Sequence, residues 1–305
     1  MNGPYDMRVN RLGFGSWQLG NALWGGMAKE EAIKLVRTAI DKGLNLFDTA
    51  PGYADGLSET YLGDALLGRR DKVVINSKFG HWANGTSNFA VDLIELSIKE
   101  SLKRLQTDYL DSLLLHNPSM EILNNQLGHF DELERLRRKG LIRAYGASID
   151  RPEEIAALLK NKGVKVVELL YNVFFQAPRE YLDEIASHGI ALIIKVPLDS
   201  GWLSGKYNAM STFNGIRLRW STDVIARRAA LVDELKKMFG TEVLTPYALR
   251  FLYSYPQITA VIPGIKSIKQ LEELLEIPQS PLPNKQKKAL EAFYDDKLKN
   301  NPLPW

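Results

Sequence analysis

The chain has no cysteine among its 305 residues. Disulfides and thiolate metal sites are therefore excluded, and no metal is expected. An excess of one charge is also missing. Lys and Arg number 39 against 36 Asp and Glu, a net charge of +3, and no basic block stands out. Nucleic acid has no compositional support as a partner. No apolar run approaches the ~18 residues of a membrane span. The N-terminal stretch MNGPYDMRVN carries no apolar signal core. The expectation is a soluble cytoplasmic protein with neither membrane nor nucleic-acid partner. No G-x-G-x-x-G follows an apolar run, so a Rossmann dinucleotide site is unsupported. Linkers and low-complexity stretches are absent too, which reads as one domain over 1–305.

What is present is a regular alternation. Short runs rich in Val, Ile and Leu recur at 11–17, 44–48, 72–78, 109–116, 142–148, 164–172, 190–196 and 258–264. Near-continuous apolar runs of this length suit strands buried on both faces. Amphipathic helical patterns separate them, at 29–43, 58–68, 91–105, 130–140, 151–163 and 177–189. Ser58 stands where an N-cap would open the second helix. The seventh gap is the longest, with an irregular segment near 199–222 and helices near 223–239 and 245–254. Two more helices follow, near 267–276 and 284–297. Eight strand–helix alternations in an α/β chain predict a closed (β/α)8 TIM barrel, with a doubly wound open sheet as the alternative.

In such a barrel, chemistry sits where strands end. The second strand ends in Asp48, within FDTAPGYADGLSE, and Tyr53 follows in its loop. The third ends in Lys78, and the fourth in His116, followed by Asn117 and Pro118. Each alone has a plainer reading: a turn acceptor, a packing tyrosine, a solvated strand end, a satisfied structural histidine. Together they form a coherent group. Lys78 near Tyr53 is expected to favour tyrosinate and lower its pKa from ~10. Asp48 would neutralise and orient the ammonium. His116 would donate a hydrogen bond to a substrate oxygen.

These residues resemble the aldo-keto reductase family along nearly the whole chain. The strand end FDTA, the loop tyrosine and the following Gly and Ser-Glu are met by Phe47 to Glu59, the lysine by Ser77-Lys78, and the histidine by Leu115 to Pro118. The resemblance implies a catalytic tetrad of Asp48, Tyr53, Lys78 and His116 in an NAD(P)H-dependent carbonyl reductase. Tyr53 would be the proton donor and the nicotinamide the hydride source.

The resemblance also implies a cofactor extended across the barrel mouth. Gly15, Ser16 and Trp17 match a G-T-W-like element, and Ser148 matches the serine of G-x-S-N. The stretch KVPLDSGWLSGKY resembles the loop around the pyrophosphate, giving Lys195, Pro197, Leu198, Ser200, Gly201, Leu203, Gly205 and Lys206 as candidates. Read without the resemblance, it is a flexible surface loop. Small residues there let backbone N–H groups approach phosphate. After the eighth strand, Gly264, Lys266, Ser267 and Gln270 resemble the family's phosphate motif, with Lys266 and Ser267 at a helix N-terminus facing the 2′-phosphate of NADP(H).

Several positions depart from the pattern. Gln270 replaces a frequent arginine and Leu274 a frequent asparagine, which leaves NAD(H) as a second possible cofactor. Lys195 stands where an aromatic ring often stacks. Ile149 and Glu168 replace two amides of the nicotinamide clamp. Ser148, Asn172, Trp17 and Lys195 are then expected to hold the ring. Glu168 either contacts it or pairs with a cation, with Lys195 the candidate.

Trp17, Trp24, Tyr53, Trp82, His116, Asn117 and, less directly, Trp202 are candidates for a partly aromatic substrate pocket. Such walls suit small aldehydes, ketones or open-chain sugars. Two competing classes are a Schiff-base aldolase using Lys78 and a non-catalytic NADP-binding sensor on the same barrel.

Overall fold

Eight apolar runs become eight parallel strands: β1 (Phe14–Gly15), β2 (Leu46–Asp48), β3 (Val74–Phe79), β4 (Leu110–His116), β5 (Ile142–Ile149), β6 (Val166–Leu170), β7 (Ala191–Lys195) and β8 (Ile258–Val261). Neighbours in sequence are neighbours in the sheet. The first and last runs close the ring through the Leu12–Val261 bridge, with Gly13 N donating to Val261 O and Val261 N to Arg11 O, both at 2.8 Å. The fold is therefore a (β/α)8 barrel rather than an open doubly wound sheet. The computed structural model describes residues 5, 8–24 and 26–304, apart from the side chains of Trp24 and Ile216.

The outer layer comprises α1 (Lys29–Asp41), α2 (Leu57–Leu66), α3 (Ile94–Leu105), α4 (Met120–Leu123), α5 (His129–Arg138), α6 (Pro152–Leu159), α7 (Leu182–Ser187), α8 (Thr222–Phe239), α9 (Thr245–Tyr253), α10 (Ile268–Leu275) and α11 (Asn284–Lys297). No helix among the described residues is long and apolar enough to cross a membrane.

Two local expectations are corrected and one short helix is added. Ser58 does not cap α2, whose N-cap is Gly56. Its hydroxyl is instead buried against Ser16 and Thr49, tying the helix to the ends of β1 and β2. The helix expected over 177–189 breaks into a 3-10 turn, Ala177–Tyr181, and α7. The one-turn helix α4 has too few residues to show periodicity. It exists because Ser119 caps it, accepting from Ile122 N.

The barrel has two cores, and strand parity separates them. Leu46, Val74, Leu114, Ala144, Val166, Ala191 and Ile193 fill the inside. Phe47, Ile75, Leu113, Leu115, Ala147, Ile149, Val167, Leu169 and Ile194 pack outward under the helices. Successive strand residues face opposite sides. Counting by twos from the inner set leads to Asp48, Lys78, His116, Ser148, Glu168 and Lys195. All six lie on the inner face at the C-terminal rim. The same count sends Ile149 outward, where it is fully buried.

Candidate active site

The lysine at the end of β3 organises the mouth. Lys78 Nζ is buried and lies 2.5 Å from Asp48 Oδ1, 3.1 Å from the Thr49 carbonyl and 3.3 Å from Glu168 Oε2. Burial alone would lower its pKa. Asp48 and Glu168 outweigh that and hold it above the ordinary lysine range, so the amine stays charged.

Tyr53 is brought to the same ammonium, whose Nζ is 5.2 Å from the ring centroid. The tyrosine opens a 3-10 turn in which Ala54 and Asp55 both adopt positive φ, 52° and 53°. Two consecutive left-handed residues without the freedom of glycine are a costly way to aim a side chain. The phenol does not become more acidic, as the presence of Lys78 alone would predict. Burial pushes its pKa above the ordinary value; Lys78 opposes this, and Asp48 and Glu168 add to it.

His116 meets Tyr53 edge-on, with ring centroids 6.1 Å apart. Burial, then Lys78, Lys195 and His81, push the imidazole well below its usual range. The ring is therefore neutral at neutral pH and presents one N–H and one lone pair. His81, from the loop after β3, packs 4.7 Å from His116. Sequence reasoning passed over it, since a lone His after Gly80 carries no motif.

Behind the tetrad runs a second polar chain. Lys195 Nζ donates to Ser148 Oγ at 2.8 Å and to Asn117 Oδ1 at 3.1 Å, and pairs with Asp150 at 2.8 Å. Ser148 Oγ in turn donates to Glu168 Oε1 at 2.9 Å. The expected Glu168–Lys195 pairing is thus indirect: Glu168 pairs with Lys78, and Asp150 takes the Lys195 charge. Asp150 was missed because it follows the strand by one residue and matches no pattern. Asn172 is also spent. It donates to Val196 O and accepts from Phe174 and Phe175 N, shaping a turn instead of offering a free amide.

The SE pair of the motif has a structural role. Glu59 accepts from Ser77 Oγ at 2.6 Å and Arg104 Nε at 2.7 Å. Ser16 is buried, its hydroxyl donating to the Asp48 carbonyl at 2.7 Å. Gly15 lies beside Gly264 on the closing edge. A Cβ on Gly15 would sit 2.9 Å from the Ile262 carbonyl, so only glycine admits this approach.

On the β7 side, Val196, Asp199 and Ser200 all take positive φ, and Pro197 and Leu198 lie between them. Leu203 and Trp202 are fully buried, and both side chains pack into the hydrophobic core under the helices. Trp202 belongs to an aromatic cluster with Tyr207, Phe213 and Trp220. Gly205 has φ of 85°, and a Cβ there would meet Glu242 O at 2.1 Å. Two arginines that carry no motif hold this loop. Arg217 donates to Ser200 O and Tyr207 Oη, and buried Arg228 pairs with buried Asp199. Gly201 packs near the Tyr207 ring, while Lys206 is exposed with its ammonium over that ring.

On the β8 side, Ser267 caps α10, accepting from Gln270 N at 3.1 Å. The Gln270 side chain bonds Lys266 N and Gly264 O. Lys266 itself is exposed. These residues fit a dinucleotide phosphate. Cations stand on both flanking loops, Lys206 on one and Lys266 at the capped start of α10 on the other. The fit lacks the free hydroxyl and amide expected of Ser148 and Asn172.

For the substrate, Trp17 packs 6.1 Å from the Tyr53 ring. Trp82 is half-buried, with Nε1 donating to Asn88 O. Asn117 sits beside His116 at φ of 54°. The Trp24 side chain lies outside the described residues.

The comparisons with known proteins agree with this geometry. The model of the aldo/keto reductase family matches residues 11–295. The chain is 28% identical to the aldo-keto reductase YhdN of Bacillus subtilis, over 96% of this chain and 92% of that one. It is also 28% identical to the L-galactose dehydrogenase of Arabidopsis thaliana, over 89% and 85%. Among solved structures, aldo-keto reductase AKR11C1 from Bacillus halodurans in its holo form superposes with a TM-score of 0.79 at 26% identity, covering 95% of this chain and 94% of that chain. An aldo/keto reductase from Klebsiella pneumoniae in complex with NADP and acetate gives 0.73 at 25%, covering 97% and 95%. With the barrel, the buried lysine and the tyrosine beside it already in place, these matches establish that the chain belongs to the aldo/keto reductase family and is an NAD(P)-dependent oxidoreductase of carbonyl groups.

Proposed function

We propose that the protein reduces small aldehydes, ketones or open-chain sugars, or oxidises the matching alcohols, with Tyr53 as general acid. The observation that carries this is the buried ammonium of Lys78, 5.2 Å from the Tyr53 ring and ion-paired to Asp48. When bound, the nicotinamide supplies a hydride to the carbonyl carbon. As the C=O π electrons move to oxygen, Tyr53 passes its phenolic proton to that oxygen. The resulting tyrosinate is held beside the Lys78 charge. Neutral His116 donates a hydrogen bond to the same oxygen and orients it. Trp17, Trp82 and Asn117 border the space in which the substrate sits.

NADP(H) is the proposed cofactor, since the similar Klebsiella pneumoniae aldo-keto reductase is seen in complex with NADP and with NADPH. Lys266, beside the capped start of α10, is the proposed 2′-phosphate contact. The loop carrying Ser200, Gly201, Gly205 and Lys206 is the proposed pyrophosphate neighbour. The chain acts as a single domain, and a cytoplasmic location accords with its lack of cysteine.

The aldolase reading is disfavoured. A Schiff base needs a neutral amine, and Lys78 is held charged by two carboxylates. The test is oxidation of NADPH and NADH against a carbonyl panel, with cofactor binding measured alongside. Tight binding without turnover on any member would favour the sensor.

A further inference from the structure

One buried group at the mouth has no part in the chemistry above. Glu168 projects inward from β6 and is surrounded by polar partners on four other strands. Ser148 of β5 donates to its Oε1 at 2.9 Å. Lys195 of β7 stands behind Ser148 and pairs outward with Asp150. Lys78 of β3 lies 3.3 Å from its Oε2, and Asp48 of β2 shares that ammonium. Tyr53 and His116 close the top, with His81 behind His116. Tyr5 lies below, bonded to Asn76 beside Asp48. One ammonium therefore serves two fully buried carboxylates.

Two carboxyl groups around one cation in a water-poor space resist ionising together, and they titrate as a pair. Glu168 has the Ser148 hydroxyl, the Lys78 ammonium and the field of Lys195, whereas Asp48 has the Lys78 ammonium at the shorter distance of 2.5 Å and the neighbouring Glu168 carboxyl. The directions of shift agree. Burial, then the Glu168 charge, push Asp48 well above the usual carboxylate range. Burial would raise Glu168 too, but Lys78 and Lys195 hold it low. The Ser148 donor and the two lysines thus favour the ionised form of Glu168.

We propose that Glu168 is a positioning residue for proton transfer: a second counter-ion of Lys78 that keeps Tyr53 protonated into alkaline solution. The proposal rests on the assignment of Tyr53 as general acid. Lys78 favours tyrosinate, and a charge 3.3 Å from its Nζ cancels much of that pull. Reduction, which needs the phenol, therefore persists at high pH. Alcohol oxidation, which needs tyrosinate to accept a proton, is confined to higher pH than the lysine alone would allow.

The test is Glu168→Gln, which keeps the shape and the Ser148 contact and removes the charge. Tyr53 ionisation is read in the protein without cofactor, as the ultraviolet difference between each form and its Tyr53→Phe counterpart. The expected result is a shift of that ionisation to lower pH by at least about one unit. The alkaline limb of kcat/KM for reduction should move with it, because reduction falls as pH rises through the Tyr53 pKa. Glu168→Asp keeps the charge and should keep the wild-type limb. A Glu168→Gln protein whose phenol and limb do not move overturns the inference, as does an equal shift in Glu168→Asp. The carboxyl carbon resonances of unsubstituted protein, labelled with carbon-13, give a second test free of folding effects. The inference requires an ionised Glu168 carboxyl at neutral pH, and a protonated Glu168 would refute it. Failure of the underlying mechanism looks different: Tyr53→Phe would then retain full activity, whatever Glu168 does.

Discussion

Lys78→Met removes the cation shared by two buried carboxyl groups, Asp48 and Glu168, while keeping most of the side-chain volume. In the native protein Lys78 Nζ lies 2.5 Å from Asp48 and 3.3 Å from Glu168, and both acids are almost fully buried. Breaking a buried pair by deleting one partner costs about 3–5 kcal/mol, because the remaining charge is desolvated and unpaired. For a chain of this size each kcal/mol displaces Tm by roughly 2 °C, so the midpoint should fall by about 6–10 °C at neutral pH. The loss should also depend on pH. Without the ammonium, both folded-state carboxyl pKa values rise above their unfolded values of ~4. Stability is then greatest below those unfolded values and declines as pH rises through the raised folded ones. In the native protein the raised Asp48 and the lowered Glu168 oppose one another, so this slope is largely cancelled. Urea unfolding at pH 5 and pH 8 measures it. The variant should lose more stability at pH 8 than at pH 5, and adding Asp48→Asn with Glu168→Gln should restore much of it. A Lys78→Met protein as stable as the parent, with the same pH dependence, would refute the account of the cluster.

Three other expectations are independent of that one. Tyr53→Phe keeps the ring and removes the proton, so turnover should fall by roughly 10²–10⁴-fold while NADPH affinity, followed by fluorescence titration, stays close to the parent. Lys266→Ala should weaken NADPH by about 1.5–3 kcal/mol and NADH little, since only NADPH carries a 2′-phosphate; equal weakening would assign Lys266 a general role. Arg228→Met leaves Asp199 buried without its partner, which should cost about 3–5 kcal/mol of stability in denaturant titration. If the β7 loop is a cofactor contact, the same variant should raise KM for NADPH, and an unchanged KM would detach that loop from binding.

Much of this protein follows from the linear sequence. Eight short Val/Ile/Leu runs separated by amphipathic helices admit few closed architectures, and each strand came within a few residues of its expected place. The gathering of Asp48, Tyr53, Lys78 and His116 was legible because polar residues stand at consecutive strand ends, where barrel topology brings them to one rim. Period-two alternation then accounts for which residues point inward, including Ser148 and Lys195. Other features depended on the three-dimensional arrangement. Ser58 has the spacing of a helix cap, but its surroundings turn it into a buried bridge between β1 and β2. Trp202 and Leu203 belong to a loop motif in the sequence, yet apolar burial draws both side chains into the core. The partner of Glu168 could not be read from one strand. Lys195 is a near neighbour across β6 and β7, but Asp150 and Ser148 occupy it, while Lys78 reaches across the barrel interior to a second carboxylate. Charge pairing inside a barrel is decided by distances across the ring between strands far apart in sequence, and by how many donors compete for each buried oxygen. Neither quantity is written in any local pattern, and so only the tertiary structure determined that one lysine answers to two acids.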